Sequence, residues 1–98
     1  MEIKKTQSGS SLSFALKGRL DTTTAPALEA EISSSIAGVT ELILDFAELE
    51  YISSAGLRVL LSAQKTMNKQ GTMVLKNVCD DIMEVFEITG FADILTID

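Results

Sequence analysis

Two adjacent serines, Ser53 and Ser54, stand where the chain changes character. Upstream, Leu42-Ile43-Leu44 is a short apolar run that ends in Asp45. Downstream, Leu57, Leu60 and Leu61 recur with the spacing of one helix face. A hydroxyl between a strand and a helix has two uses. Its oxygen can accept from the backbone N–H groups that the first turn of a helix leaves without partners. The same N–H groups, with the helix dipole, also suit a phosphate. The pair is therefore a candidate for capping, for phosphorylation, or for both.

Other chemistry is poorly supplied. The chain has no histidine, so no Ser–His–Asp triad can be assembled. The single cysteine, Cys79, cannot close an intramolecular disulfide, and without histidine it leaves no ordinary zinc set. Paired-carboxylate chemistry needs a pair, and no spacing singles one out. The expectation is a protein that is not an enzyme and that carries no cofactor or metal. Cys79 itself reads as a small buried residue, and Met67 and Met73 as core.

The formal net charge is −6. A nucleic-acid binder shows a basic stripe, and none is present, so no direct nucleic-acid partner is expected. An anionic membrane surface is disfavoured for the same reason. An acidic domain suits a basic protein partner, although such a charge also serves to keep a small domain in solution. No apolar segment follows Met1-Glu2-Ile3-Lys4-Lys5, so no signal peptide is expected. The apolar runs fall far short of the ~20 residues of a spanning helix. One cysteine fits a reducing compartment. A soluble, cytoplasmic, single domain over residues 1–98 follows as the expectation.

The elements that must position the serines can be read in order. Residues 2–7 alternate weakly and suggest a strand. Ser8-Gly9-Ser10 is a turn, and Leu12, Phe14 and Leu16 then alternate with Ser13, Ala15 and Lys17, which is a half-buried strand. The two form an antiparallel hairpin. After Gly18-Arg19-Leu20-Asp21 the run Thr22-Thr23-Thr24 makes a poor helix interior but a good entrance, and Pro26 fits a first turn. Leu28, Ile32 and Ile36 form one stripe up to Gly38, with Glu29 and Glu31 early enough to suit the dipole. Glu41 to Asp45 is a strand whose continuous apolar run predicts cover on both faces. A helix from about Ala55 to Lys69 buries Leu57, Leu60, Leu61 and Gln64 or Met67, with Gly71 as its C-terminal cap. Met73-Val74-Leu75 is a short strand. A helix over Asp80–Thr89 buries Ile82, Val85 and Phe86, and Ile94–Ile97 offers a last edge strand. The order β-β-α-β-α-β-α-β predicts an α/β domain: a mostly parallel central sheet, an N-terminal antiparallel hairpin, and helices packed on the sheet.

On that frame three phrases carry a resemblance. Leu44-Asp45-Phe46-Ala47-Glu48-Leu49-Glu50-Tyr51-Ile52-Ser53-Ser54-Ala55-Gly56-Leu57 resembles the signature of STAS domains. In that family an Asp ends a strand and Asp-Ser-Ser/Thr-Gly-Leu opens a helix. Gly18-Arg19-Leu20-Asp21 resembles the family's Gly-x-Leu-Asp, and Phe86-Glu87-Ile88-Thr89-Gly90 its phrase near the last helix. Among STAS domains the chain is most similar to bacterial anti-sigma factor antagonists, and the likeness runs over nearly all of it.

The resemblance implies that the chain binds an anti-sigma factor that is also a serine/threonine kinase and thereby frees the sigma factor. It implies that this kinase phosphorylates Ser54, by position, and so abolishes binding until a serine phosphatase restores it. The expected partner face comprises Asp21, Thr22, Asp45, Ser53, Ser54, Ala55, Gly56 and Arg58; Asp21 and Asp45 are placed there beside Ser54 because both read as strand C-terminal ends, the edge where sites in such sheets gather. Two positions depart from the pattern. Ser53 stands where the family has Asp, which removes an acidic group and offers a second hydroxyl. Arg58 stands where many relatives have Gly; it lies one helical turn beyond Ser54, within reach of a phosphate there. The alternative reading is a constitutive STAS subunit of a transporter ATPase or another regulatory complex.

Overall fold

Alternating burial along the second and third strands sets the architecture. The computed structural model describes residues 1–98. The elements are β1 (Glu2–Ser8), β2 (Ser11–Leu20), α1 (Ala25–Ser35), β3 (Glu41–Ile52), α2 (Ser54–Gln70), β4 (Thr72–Lys76), α3 (Asp80–Thr89) and a 3₁₀ turn over Phe91–Asp93. They form one four-stranded sheet in the order β1-β2-β3-β4. β1 runs antiparallel to β2 through the Gly9 turn, and β2, β3 and β4 are parallel. The expected α/β domain, with its N-terminal hairpin and mostly parallel sheet, is what the chain forms.

Leu12 pairs with Leu42, and Leu42 with Met73. Phe14 pairs with Leu44, and Leu44 with Leu75. These six side chains share one face and all are buried. Ser13, Ile43 and Val74, on the opposite face, are only half-buried. The expected cover on both faces is therefore wrong: Leu42-Ile43-Leu44 reads as continuous because Ile43 is apolar, not because a second layer lies over it. Leu28 and Ile32 of α1, Leu57, Leu60 and Met67 of α2, and Ile82 and Phe86 of α3 complete the core, and Met67 and Met73 are buried as expected. Phe86 meets Phe46 of β3 at a ring-centroid separation of 6.4 Å and a tilt of 48°. Such tilted pairs add about 1 kcal/mol beyond the area they bury. Gln64, also buried, donates from Nε2 to Asn68 Oδ1 at 2.8 Å, while its Oε1 has no partner. No helix is long and apolar enough to cross a membrane.

Other expectations fail for local reasons. β3 does not stop at Asp45 but continues to Ile52. The stretch Ala47–Glu50 looks like a polar turn, yet it keeps pairing with β2 through register shifts between Ala15 and Lys17 and between Gly18 and Arg19. Such irregularities change the spacing of inward residues, so Phe46, Leu49 and Ile52 are buried although they do not alternate. The last edge strand reduces to one bridge, Ile97 beside Leu75. Glu29 and Glu31 lie beyond the first turn of α1, which contains no acidic residue, so they do not meet the dipole there. Gly71 ends α2 in an extended conformation rather than a left-handed one. It is required because a Cβ there would run into the Thr40 carbonyl. Cys79 is exposed, since it immediately precedes α3 as its N-cap.

Candidate functional site

β2 and β3 end side by side, with Leu20 paired to Ile52, and each chain turns there into a helix. The Ser53 N–H donates to the Leu20 carbonyl at 2.9 Å, which holds the start of α2 against the end of β2. The contact is close. A Cβ on Gly56 would stand 2.8 Å from Leu20 Cγ and from Ile52 Cγ1. Only a residue without a side chain lets the first turn of α2 settle on the two strand ends.

The two serines divide the work. Ser53 is extended, with φ −100° and ψ 176°, and is the N-cap; its hydroxyl accepts from the Gly56 N–H at a long 3.4 Å. Ser54 is the first helical residue and is exposed. Its hydroxyl takes part in none of the side-chain hydrogen bonds around the α2 entrance. It thus sits among first-turn N–H groups with its oxygen free.

The neighbouring entrance, before α1, is built differently. Asp21 Oδ1 accepts from the Thr23 N–H at 3.0 Å, the Thr23 hydroxyl at 2.7 Å and the Thr24 N–H at 3.2 Å. The Thr24 oxygen accepts in return from the Asp21 N–H at 2.8 Å. These donors, the Thr23 hydroxyl first, hold the Asp21 carboxyl below its ordinary value of 3.8. Thr22 is exposed.

Thr22, Ala55 and Arg58 line an open depression of about 270 Å³ between α1 and α2, with the buried Ala25 and Val59 among its other walls. Arg58 is exposed and forms no ion pair, whereas Arg19 does: its Nε lies 3.9 Å from Asp21 Oδ2. The Arg19 guanidinium also stacks 4.1 Å from the centroid of Tyr51, its cross-strand partner. The sequence pattern does not mark Arg19 and Tyr51 as site residues. The available signal was their position, two residues ahead of Asp21 and of Ser53 respectively.

The structure therefore brings together Asp21, Thr22, Ser53, Ser54, Ala55, Gly56 and Arg58. Asp45 is set apart. It pairs with Lys76 where β4 ends, eight residues before Ser53 along β3. Its Oδ1 accepts from Asn77 Nδ2 and from the Ala47 N–H, each at 2.9 Å. These bonds, that of Asn77 first, lower its pKa. They also hold the turn after β4, in which Asn77 has φ 58°. The expected placement of Asp45 at a strand end beside Ser54 fails because β3 is longer than it reads.

Comparison with known proteins places this geometry in a class. The model of the STAS domain family matches residues 2–98, and the chain belongs to that family. BtrV of Bordetella bronchiseptica, named as a putative anti-sigma factor antagonist, is 40% identical over 84 residues, which are 84% of this chain and 72% of BtrV. The anti-sigma-B factor antagonist of Listeria monocytogenes is 35% identical over 83 residues, 82% of this chain and 72% of that protein. Among solved structures, the anti-sigma factor antagonist SpoIIAA in its unphosphorylated form superposes with a TM-score of 0.80 at 21% identity, covering 99% of this chain and 87% of that one. The phosphorylated form of SpoIIAA, a Bacillus cell fate determinant, gives 0.78 at 22% identity over 99% and 91%. At that identity the two structures speak for the fold.

Proposed function

We propose that the chain is an anti-sigma factor antagonist. It binds an anti-sigma serine/threonine kinase through the paired entrances of α1 and α2, frees the sigma factor, and is switched off by phosphorylation of Ser54. The relatives' names support the antagonist role. The observation that carries the switch is the division of labour at the α2 entrance: Ser53 is engaged as the cap, and Ser54 presents an exposed hydroxyl with no partner.

Phosphorylation would add about −1.5 to −2 charges at that hydroxyl. The helix terminus tolerates them. A partner surface packed over the same spot would have to strip water from a doubly charged group, which is costly without a matching donor set. Binding is then lost without refolding. A serine phosphatase reverses the step. The face comprises Asp21, Thr22, Ser53, Ser54, Ala55, Gly56 and Arg58. Asp45 stays outside it, engaged with Asn77.

The test is a pull-down from the source cells with the wild type beside Ser54→Asp. Recovery of a small ATP-binding kinase by the wild type alone is expected. Equal recovery of transporter subunits by both forms would overturn the switch in favour of a constitutive STAS subunit.

A further inference from the structure

The chain has two arginines, and both lie near the α2 entrance. Arg19 is committed: it is stacked on Tyr51 at 4.1 Å and ion-paired with Asp21 at 3.9 Å. Arg58 is not. It is exposed, has no carboxylate within ion-pair distance, and lies on α2 four residues after Ser54. Residues at that spacing are neighbours on a helix surface. Glu29 shares the depression with Arg58, yet the two are not paired. Arg58 is therefore a guanidinium without an ion pair, one helical turn from a hydroxyl without a partner, on the wall of a depression that opens between α1 and α2.

We propose that Arg58 receives the phosphate of phospho-Ser54 and that the resulting pair occupies the mouth of this depression. The inference rests on the reading of Ser54 as the phosphosite and deepens it. A planar guanidinium donates two parallel hydrogen bonds to phosphate oxygens, and a dianionic phosphate holds it better than the single carboxylate of Glu29. The pair would lie over Ala55 and beside Thr22. The off state is then made in two ways at once. A cation that the unmodified chain offers to a partner is withdrawn, and the seat between the helices is covered. Arg19 takes no part, because leaving Tyr51 and Asp21 would forfeit two interactions it already has.

The experiment needs no kinase. Phosphoserine is placed at position 54 during translation, in the wild type, Arg58→Gln, Arg58→Lys and Arg19→Gln, and the phosphate is titrated by ³¹P NMR. Its second ionisation, ordinarily near pH ~6, is expected about half a unit lower in the wild type and in Arg19→Gln. It should rise clearly in Arg58→Gln, to the value that the helix terminus alone sets, and lie between the two in Arg58→Lys, which keeps the charge and loses the fork. The Arg58 Nε–H resonance should move on phosphorylation while that of Arg19 stays. Equal titrations in the wild type and Arg58→Gln would overturn the proposal and leave the phosphosite reading intact. A shift abolished by Arg19→Gln alone would overturn it in favour of Arg19. Should the cellular kinase prove to ignore Ser54, the phosphosite reading falls while the titration still reports whether Arg58 holds a phosphate there.

Discussion

The entrances of α1 and α2 lie side by side at the same end of the sheet and are held in opposite ways. The first is closed on itself: Asp21, Thr23 and Thr24 satisfy one another through several short bonds. The second relies on packing, with one long cap bond from Ser53 and the close seating of Gly56 on Leu20 and Ile52. Polar groups that are already bonded can shape a contact surface but are costly to free for new chemistry. Where backbone contact does the holding, a hydroxyl can be spared, and Ser54 is the one spared. Two similar-looking polar runs, Asp21-Thr22-Thr23-Thr24 and Ser53-Ser54, thus separate into a fixed scaffold and a chemically available point.

Substitutions sharpen this contrast, beginning with the largest effect. Gly56→Ala pushes a methyl into Leu20 and Ile52 and should cost about 2 kcal/mol in denaturant unfolding; an unchanged midpoint would show that packing does not hold the α2 entrance. Asp21→Ala comes next, because it strips acceptors from the Thr23 and Thr24 N–H groups. Its effect carries a pH signature. The Asp21 carboxyl is held below 3.8 in the folded chain, so its contribution is complete above about pH 5 and is lost as pH falls through the lowered folded value. The stability gap between wild type and Asp21→Ala should therefore narrow below about pH 4. A constant gap from pH 7 to pH 3 would contradict the bonded carboxylate.

Ser53→Ala removes only a 3.4 Å cap bond and should cost about 0.5 kcal/mol, at the low end for N-caps. Ser54→Ala should change stability by less than about 0.5 kcal/mol, since it breaks no bond, while removing the target of the kinase. If Ser54→Ala proved the more destabilising of the two serine substitutions, the division between cap and phosphosite would be reversed.

How much of this was legible in the sequence depends on what each position reports. α3 over Asp80–Thr89 matches its expected span, because Asp80 and Asp81 open it, Ile82 and Phe86 give the period, and Gly90 ends it in the left-handed region. α2 lies within one residue of its expected span at each end for similar reasons. β3 reads too short in the sequence, because Glu48 and Glu50 look like loop residues when they are outward positions of a strand whose irregular pairing breaks the period of two. That error carried Asp45 into the site. Residue types placed Cys79 in the core, whereas its position just ahead of Asp80 puts it at a helix start in solvent. The role of Ser53 as cap, and the commitment of Arg19 but not Arg58, depend on which groups already have partners. No single-residue signal records that.

The most direct test of the account is site-resolved mass spectrometry of the chain after incubation with ATP and the anti-sigma kinase recovered from the source cells. One phosphate is expected, on Ser54, with Ser53 unmodified. Phosphate on Ser53 in preference to Ser54, or on neither, would contradict it.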